Sequence, residues 1–171
     1  TRRSSDLFIN YRQGAYAEAA ASGQRFLQLY PGDDDAAYAQ YIIGMSYFKQ
    51  IPHITRDQNV TAKAHNAMKA LIEKYPDSEY VEDAQRKMRV ARDQLAGKEM
   101  LVGRYYQERR EFLAAINRFR KVVEQFPKTR HVEEALARLT ESYYSLGLAE
   151  EAQNAARSEE HTSELQSRSD L

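Results

Sequence analysis

Three aromatic-proline pairs, Tyr30-Pro31, Tyr75-Pro76 and Phe126-Pro127, constrain this chain more than any other feature. Aligned on those prolines, the flanking residues fall into register without gaps. Twelve residues before each proline stands Ala19, Ala64 or Ala115, and five before stands Phe26, Leu71 or Val122. Leu27, Ile72 and Val123 follow at the next position, so the apolar offsets share one face of a helix. Eight residues after the prolines come Ala39, Ala84 and Ala135, and at twelve Ile43, Met88 and Leu139. At sixteen the outer copies carry Tyr47 and Tyr143, while the middle copy departs with Arg92. Each unit therefore reads as helix, proline-marked turn and second helix, with alanine where two backbones approach closely.

The prolines stand 45 and 51 residues apart, so additional residues separate the repeated halves. A loop, Ile51-Pro52-His53-Ile54-Thr55-Arg56, precedes the fourth helix, and Thr55-Arg56-Asp57-Gln58 has the pattern of a capping box. Between Glu79 and Arg110 apolar residues continue at helical spacing without a proline. That pattern predicts one long connecting helix of roughly 45 Å at about 1.5 Å per residue, weakest at Gly97. The predicted helices are 8–13, 15–29, 34–50, 57–74, 79–109, 112–125 and 130–146, with a stub from 149. Ser78 and Thr129 are the expected N-caps, with Glu79, Glu82, Asp83, Glu133 and Glu134 answering the helix dipoles. Four prolines and seven glycines in 171 residues agree with an all-α chain. The expected fold is a tetratricopeptide-like solenoid of helix pairs with one long connecting helix.

Composition excludes several functions. Basic and acidic residues balance at 25 each, so no summed field draws the chain to nucleic acid or to an anionic membrane surface. No apolar run approaches the roughly 18–20 residues of a membrane-spanning helix. With no cysteine there is neither a disulfide nor a thiolate site. The ends read as foreign: Thr1–Leu7 and the stretch from Arg157 to Ser167 resemble, residue for residue, the translations of two sequencing adapters. The expected division is a foreign leader at 1–7, a repeat solenoid at 8–156, and a foreign, disordered tail at 157–171. Cutting the last repeat near Ala156 is expected to leave the 130–146 helix partly uncovered and prone to pairing.

Ile43-Gly44-x-x-Tyr47, followed by alanine at the close crossing and an aromatic before proline, resembles tetratricopeptide repeats. A closer resemblance covers nearly all of residues 8–156. It is carried by Ile54-Thr55-Arg56-Asp57-Gln58, Tyr75-Pro76-Asp77-Ser78-Glu79-Tyr80 and Arg92-Asp93-Gln94-Leu95-Ala96 running into Glu99. Further on it takes in Gly103-Arg104-Tyr105-Tyr106, Ala115-Ile116-Asn117-Arg118 and Val132-Glu133-Glu134-Ala135-Leu136. In order and spacing these resemble the BamD family, outer-membrane lipoproteins of the β-barrel assembly machinery. The resemblance implies a non-enzymatic five-repeat scaffold at the periplasmic face of the outer membrane, held by lipid on an N-terminal cysteine. Its implied partners are the POTRA region of BamA, the smaller lipoproteins BamC and BamE, and unfolded outer-membrane proteins. This sequence is expected to be a fragment lacking the lipidated cysteine, most of the first repeat and the end of the last. A membrane contact is therefore expected only through an anchor absent from this chain. The alternative is a generic tetratricopeptide adaptor gripping the C-terminal segment of another protein.

No residues converge in the sequence as a catalytic or cofactor site. His53, His65, His131 and His161 lack the spacing that aims ligands at one metal ion, and no Ser-His-Asp order or glycine-rich phosphate loop is recognisable. Neither a metal nor a cofactor is expected. Acidic runs such as Asp33-Asp34-Asp35 fit helix starts better than acid-base catalysis. Tyr38 and Tyr41 fall off the repeat register on a helix that would line an inner curve, where they pack or grip an extended peptide. Arg104, Arg109, Arg110, Arg118 and Arg120 cluster around the junction after the long helix. The resemblance places the contact with BamA within this patch, the family's Asn-Arg pair falling on Asn117 and Arg118 and its arginine before the turn on Arg109.

Overall fold

The computed structural model describes residues 2–169, and among these every regular element is an α-helix, with no strand. It forms two compact units, one up to Leu95 and one from Ala96. The first holds α1 (Arg2–Arg12), α2 (Tyr16–Leu29), α3 (Ala36–Lys49), α4 (Asn59–Lys74) and the first part of α5 (Val81–Glu108). The second holds the rest of α5, α6 (Phe112–Gln125), α7 (Val132–Ser145) and α8 (Ala149–Ser169). The expected tetratricopeptide-like helix order is observed, and α5 runs unbroken through Gly97 as the long connecting helix.

The three proline turns share one geometry. Tyr30, Tyr75 and Phe126 close the preceding helix by donating to the carbonyls of Phe26, Leu71 and Val122 at 2.8–2.9 Å. Their backbones then leave the helix at φ of −137°, −130° and −126°. The following proline disfavours helical geometry in the residue before it, which is why all three helices stop there. Asp33, Ser78 and Thr129 next donate their N–H groups to the three aromatic carbonyls. Side-chain caps differ from expectation. Thr129 donates its hydroxyl to Phe126 O at 2.9 Å, and Ser78 Oγ accepts from Tyr80 N, so neither caps the first turn of its helix. Helix α4 begins at Asn59, two residues later than predicted, and Gln58 belongs to the loop. Its amide donates to the carbonyls of His53 and Arg56, and its oxygen accepts from the buried Thr61 hydroxyl.

Alanines make the close helix approaches. Ala19, Ala39, Ala64, Ala84, Ala115 and Ala135 are all buried, as the repeat required. In the first unit Leu7, Ala19, Ala39 and Ile42 form one cluster, and Met45, Met68, Leu71 and Ala84 form another. Leu7, set aside with the leader on sequence grounds, is thus part of the core. In the second unit Met100, Ile116, Phe119, Val122, Leu136 and Leu139 pack together. The stub expected after residue 149 is a helix that reaches Ser169, where a disordered tail was expected from 157. Ala152 and Ala155 are buried, and the small side chains let α8 lie along α7, which is covered rather than bare. Past Ala156 most residues of α8 are exposed.

At the middle repeat Arg92 replaces the tyrosine of its neighbours, and its guanidinium lies 3.5 Å from Nε2 of half-buried His65. Burial, then Arg92 and Lys69, hold His65 below its ordinary value of 6.5 against an opposing hydrogen bond to Asn66. The unfolded chain therefore takes up the proton first as pH falls below about 6.5, and folding stability drops from there toward the lower native value. A lower urea midpoint at pH 5.5 than at pH 7.5 is expected, with a smaller difference in His65→Gln. The same pH dependence in both proteins would show that His65 is not its source.

Candidate partner-binding surface

Most of the clustered arginines are held by carboxylates of this chain. Arg104 reaches Glu134 at 2.9 Å, and Arg138 reaches the same oxygen at 2.7 Å. Burial alone would raise the Glu134 pKa, but hydrogen bonds from Arg138 and Arg104 outweigh it and leave the carboxylate below its ordinary range. Gln107 extends this network from α5 to α7 by donating to Glu141 and Ser142 and accepting from Arg138. Arg109 lies over the Tyr105 ring, 5.3 Å from its centroid, and pairs with Glu111 at 3.3 Å. Arg120 pairs with Glu124 one turn along α6.

Arg118 pairs with Glu99 at 3.0 Å, and Lys121 pairs with the other oxygen of Glu99 at 2.5 Å. Glu99 is only 12% exposed, whereas the two cations are 41% and 40% exposed. One largely buried carboxylate thus orients two half-exposed cations, leaving an excess positive charge at the surface. Asn117 is exposed beside them, and Tyr106, Ala114, Asn117, Arg118 and Lys121 line a shallow cleft. A planar guanidinium fork, an ammonium and a side-chain amide in one cleft suit an acidic side chain. Glu99 and Lys121 were missed as site residues in the sequence because Glu99 lies 19 and 22 residues from its partners, beyond any helical periodicity.

Tyr38 and Tyr41 belong to the first unit, and the cleft to the second. Tyr41 stacks on Tyr80 at 4.8 Å and donates its hydroxyl to Asp83 at 2.7 Å, and Tyr38 meets Tyr80 at 5.7 Å. The Tyr41 hydroxyl is the main cause of a lowered Asp83 pKa, while burial and that same bond raise the Tyr41 phenol. Both rings are half-buried and take part in the packing of the first unit.

Three helix ends use one backbone motif. After α1, α5 and α7, the N–H groups of Gly14, Arg110 and Gly147 donate to the carbonyls of Tyr11, Gln107 and Tyr144. Those of Ala15, Glu111 and Leu148 donate to Asn10, Tyr106 and Tyr143, completing a Schellman termination. The motif needs a left-handed residue, with φ of 77° at Gly14, 62° at Arg110 and 75° at Gly147. A side chain in that region costs about 1–2 kcal/mol, which glycine avoids.

Helix pairs repeated around alanine crossings define a tetratricopeptide-like repeat protein. Residues 6–158 match the YfiO family, described as outer membrane lipoprotein, and the chain belongs to that family. It is 45% identical over 145 residues to the outer membrane protein assembly factor BamD of Caulobacter vibrioides, covering 85% of this chain and 48% of that protein. The same factor from Rickettsia prowazekii is 40% identical over 137 residues, 80% of this chain and 55% of the relative. That of Neisseria meningitidis serogroup A is 33% identical over 150 residues, 82% and 56% respectively. The chain spans about half the length of these relatives. Among the described residues no helix is long and apolar enough to cross a membrane.

Proposed function

We propose that this chain is the repeat scaffold of an outer-membrane protein assembly factor, working without catalysis at the periplasmic face of the outer membrane. Its relatives are named as assembly factors, and family membership supports association with the outer membrane. In this reading the cleft at Asn117, Arg118 and Lys121 receives acidic side chains of the POTRA region of BamA, with Arg104 and Arg109 bordering the contact. Lipoproteins of the BamC and BamE type and unfolded outer-membrane proteins are the further partners, and Tyr38 and Tyr41 belong to a surface for the latter. The observation that carries the reading is the pair of half-exposed cations held by the single carboxylate of Glu99.

The test is calorimetric titration of the chain with the purified POTRA region of a matched BamA. Arg118→Ala is expected to weaken binding by at least about 2 kcal/mol, some 30-fold, if the guanidinium is desolvated on docking. Arg56→Ala, on an exposed loop, is expected to stay within about twofold. Equal affinities for the two variants would sink the assignment of the cleft.

A further inference from the structure

We propose that Arg110 is an anchor for a carboxylate of the partner protein, displayed at a position where the fold itself asks for glycine. This rests on the proposed function and adds a contact residue to it. Three equivalent helix ends carry the same pair of backbone hydrogen bonds, and two of them use Gly14 and Gly147. The third holds Arg110 at φ 62°, a conformation that disfavours any side chain. A guanidinium near the last carbonyls of α5 gains a solvent-screened attraction to the helix end, which falls short of that cost.

The surroundings point to the occupant. Of the five clustered arginines, Arg104, Arg109, Arg118 and Arg120 each have a carboxylate partner in this chain. Among the described residues none pairs with the exposed Arg110, and the neighbouring Glu111 is taken by Arg109. Its five-donor fork is therefore free to hold one carboxylate in bidentate fashion. Glu108 and Glu111 lie within two residues on either side. These carboxylates repel any added anion, so the penalty grows with the many headgroups of a lipid surface and is least for one aspartate or glutamate held in the fork.

Arg110→Gly restores the residue that the other two helix ends use, so folding survives the test. The full chain and its Arg110→Gly and Arg110→Lys variants are titrated with the POTRA region, and their urea unfolding is followed in parallel. Expected is at least tenfold weaker binding for Arg110→Gly, an intermediate loss for Arg110→Lys, and an unfolding midpoint for Arg110→Gly equal to or above that of the parent. Parent-like binding by Arg110→Gly overturns this proposal alone and leaves the proposed function standing. Weaker binding with a lowered midpoint overturns it in favour of a structural role. No binding by the parent removes the proposed partner and this contact with it. Arg110-dependent capture of phosphatidylglycerol vesicles in place of the POTRA region overturns the carboxylate occupant.

Discussion

Phe119→Ala is expected to destabilise the second unit by about 3–5 kcal/mol, the range for emptying a fully buried aromatic site. Phe119 is completely buried among Met100, Ile116, Val122 and the α7 residues Leu136 and Leu139. Those neighbours come from three helices, so the cavity cannot close without moving backbones. With a urea dependence of about 1–3 kcal/mol per molar, the midpoint should fall by more than about 1 M. Leu113→Ala, on the same helix but 67% exposed, should stay within about 0.5 kcal/mol. Similar losses for the two variants would show that the second unit does not depend on this core.

Gly103→Ala is the complementary prediction, an overfilled site in place of an emptied one. A Cβ at Gly103 would lie 2.5, 2.8 and 2.9 Å from three ring carbons of Phe119, and a buried ring has nowhere to turn. Overpacking of this kind costs about 1–3 kcal/mol, against a helix-propensity gain of about 1 kcal/mol for alanine over glycine. A net loss is therefore expected in urea unfolding. Gly44→Ala provides the contrast. There a Cβ would meet the Met68 side chain at 2.8 Å, and a flexible thioether can swing aside, so the substitution should be close to neutral. Shrinking the ring to leucine should reduce the penalty of Gly103→Ala, because the two changes share one contact. Strict additivity of Gly103→Ala and Phe119→Leu would refute the ring clash as its source.

The two sites differ in why glycine is present, and only one reason is written in the local sequence. Gly103 falls inside a helical pattern, where glycine reads as a weakness; its use emerges when α6 brings Phe119 against it. Gly14 and Gly147 follow the ends of amphipathic helices, where glycine is a recognisable stop signal. Arg110 occupies the same backbone position without the signal, and nothing in its sequence neighbours marks it as left-handed. The arginine cluster itself was legible, since five of its residues fall within 17 positions of one another. Which of them are occupied was not, because the carboxylates of Glu99 and Glu134 arrive from 19 and 30 residues away.

The sequence alone determined the number and order of helices up to α7, the alanines at the crossings, and the helix boundaries within two residues, except that α1 starts at Arg2, six residues before the predicted position 8. Those features rest on short-range physics: helical periodicity, a proline that stops the preceding helix, and the absence of side-chain bulk at alanine. Tertiary structure decided that α8 continues over α7, that Ser78 and Thr129 serve their turns and not the helix starts, and that Tyr41 is tied to Asp83 and Tyr80. It also decided how charge is divided at the candidate surface, with Arg104 bound inward and Arg118 sharing Glu99 with Lys121. A charge pair of this kind forms only where packing brings separate helices within about 4 Å, and the attraction falls off with both distance and water. The pattern of apolar residues sets which helices pack, but the spacing of charges along one helix does not reveal which charge from another will face it.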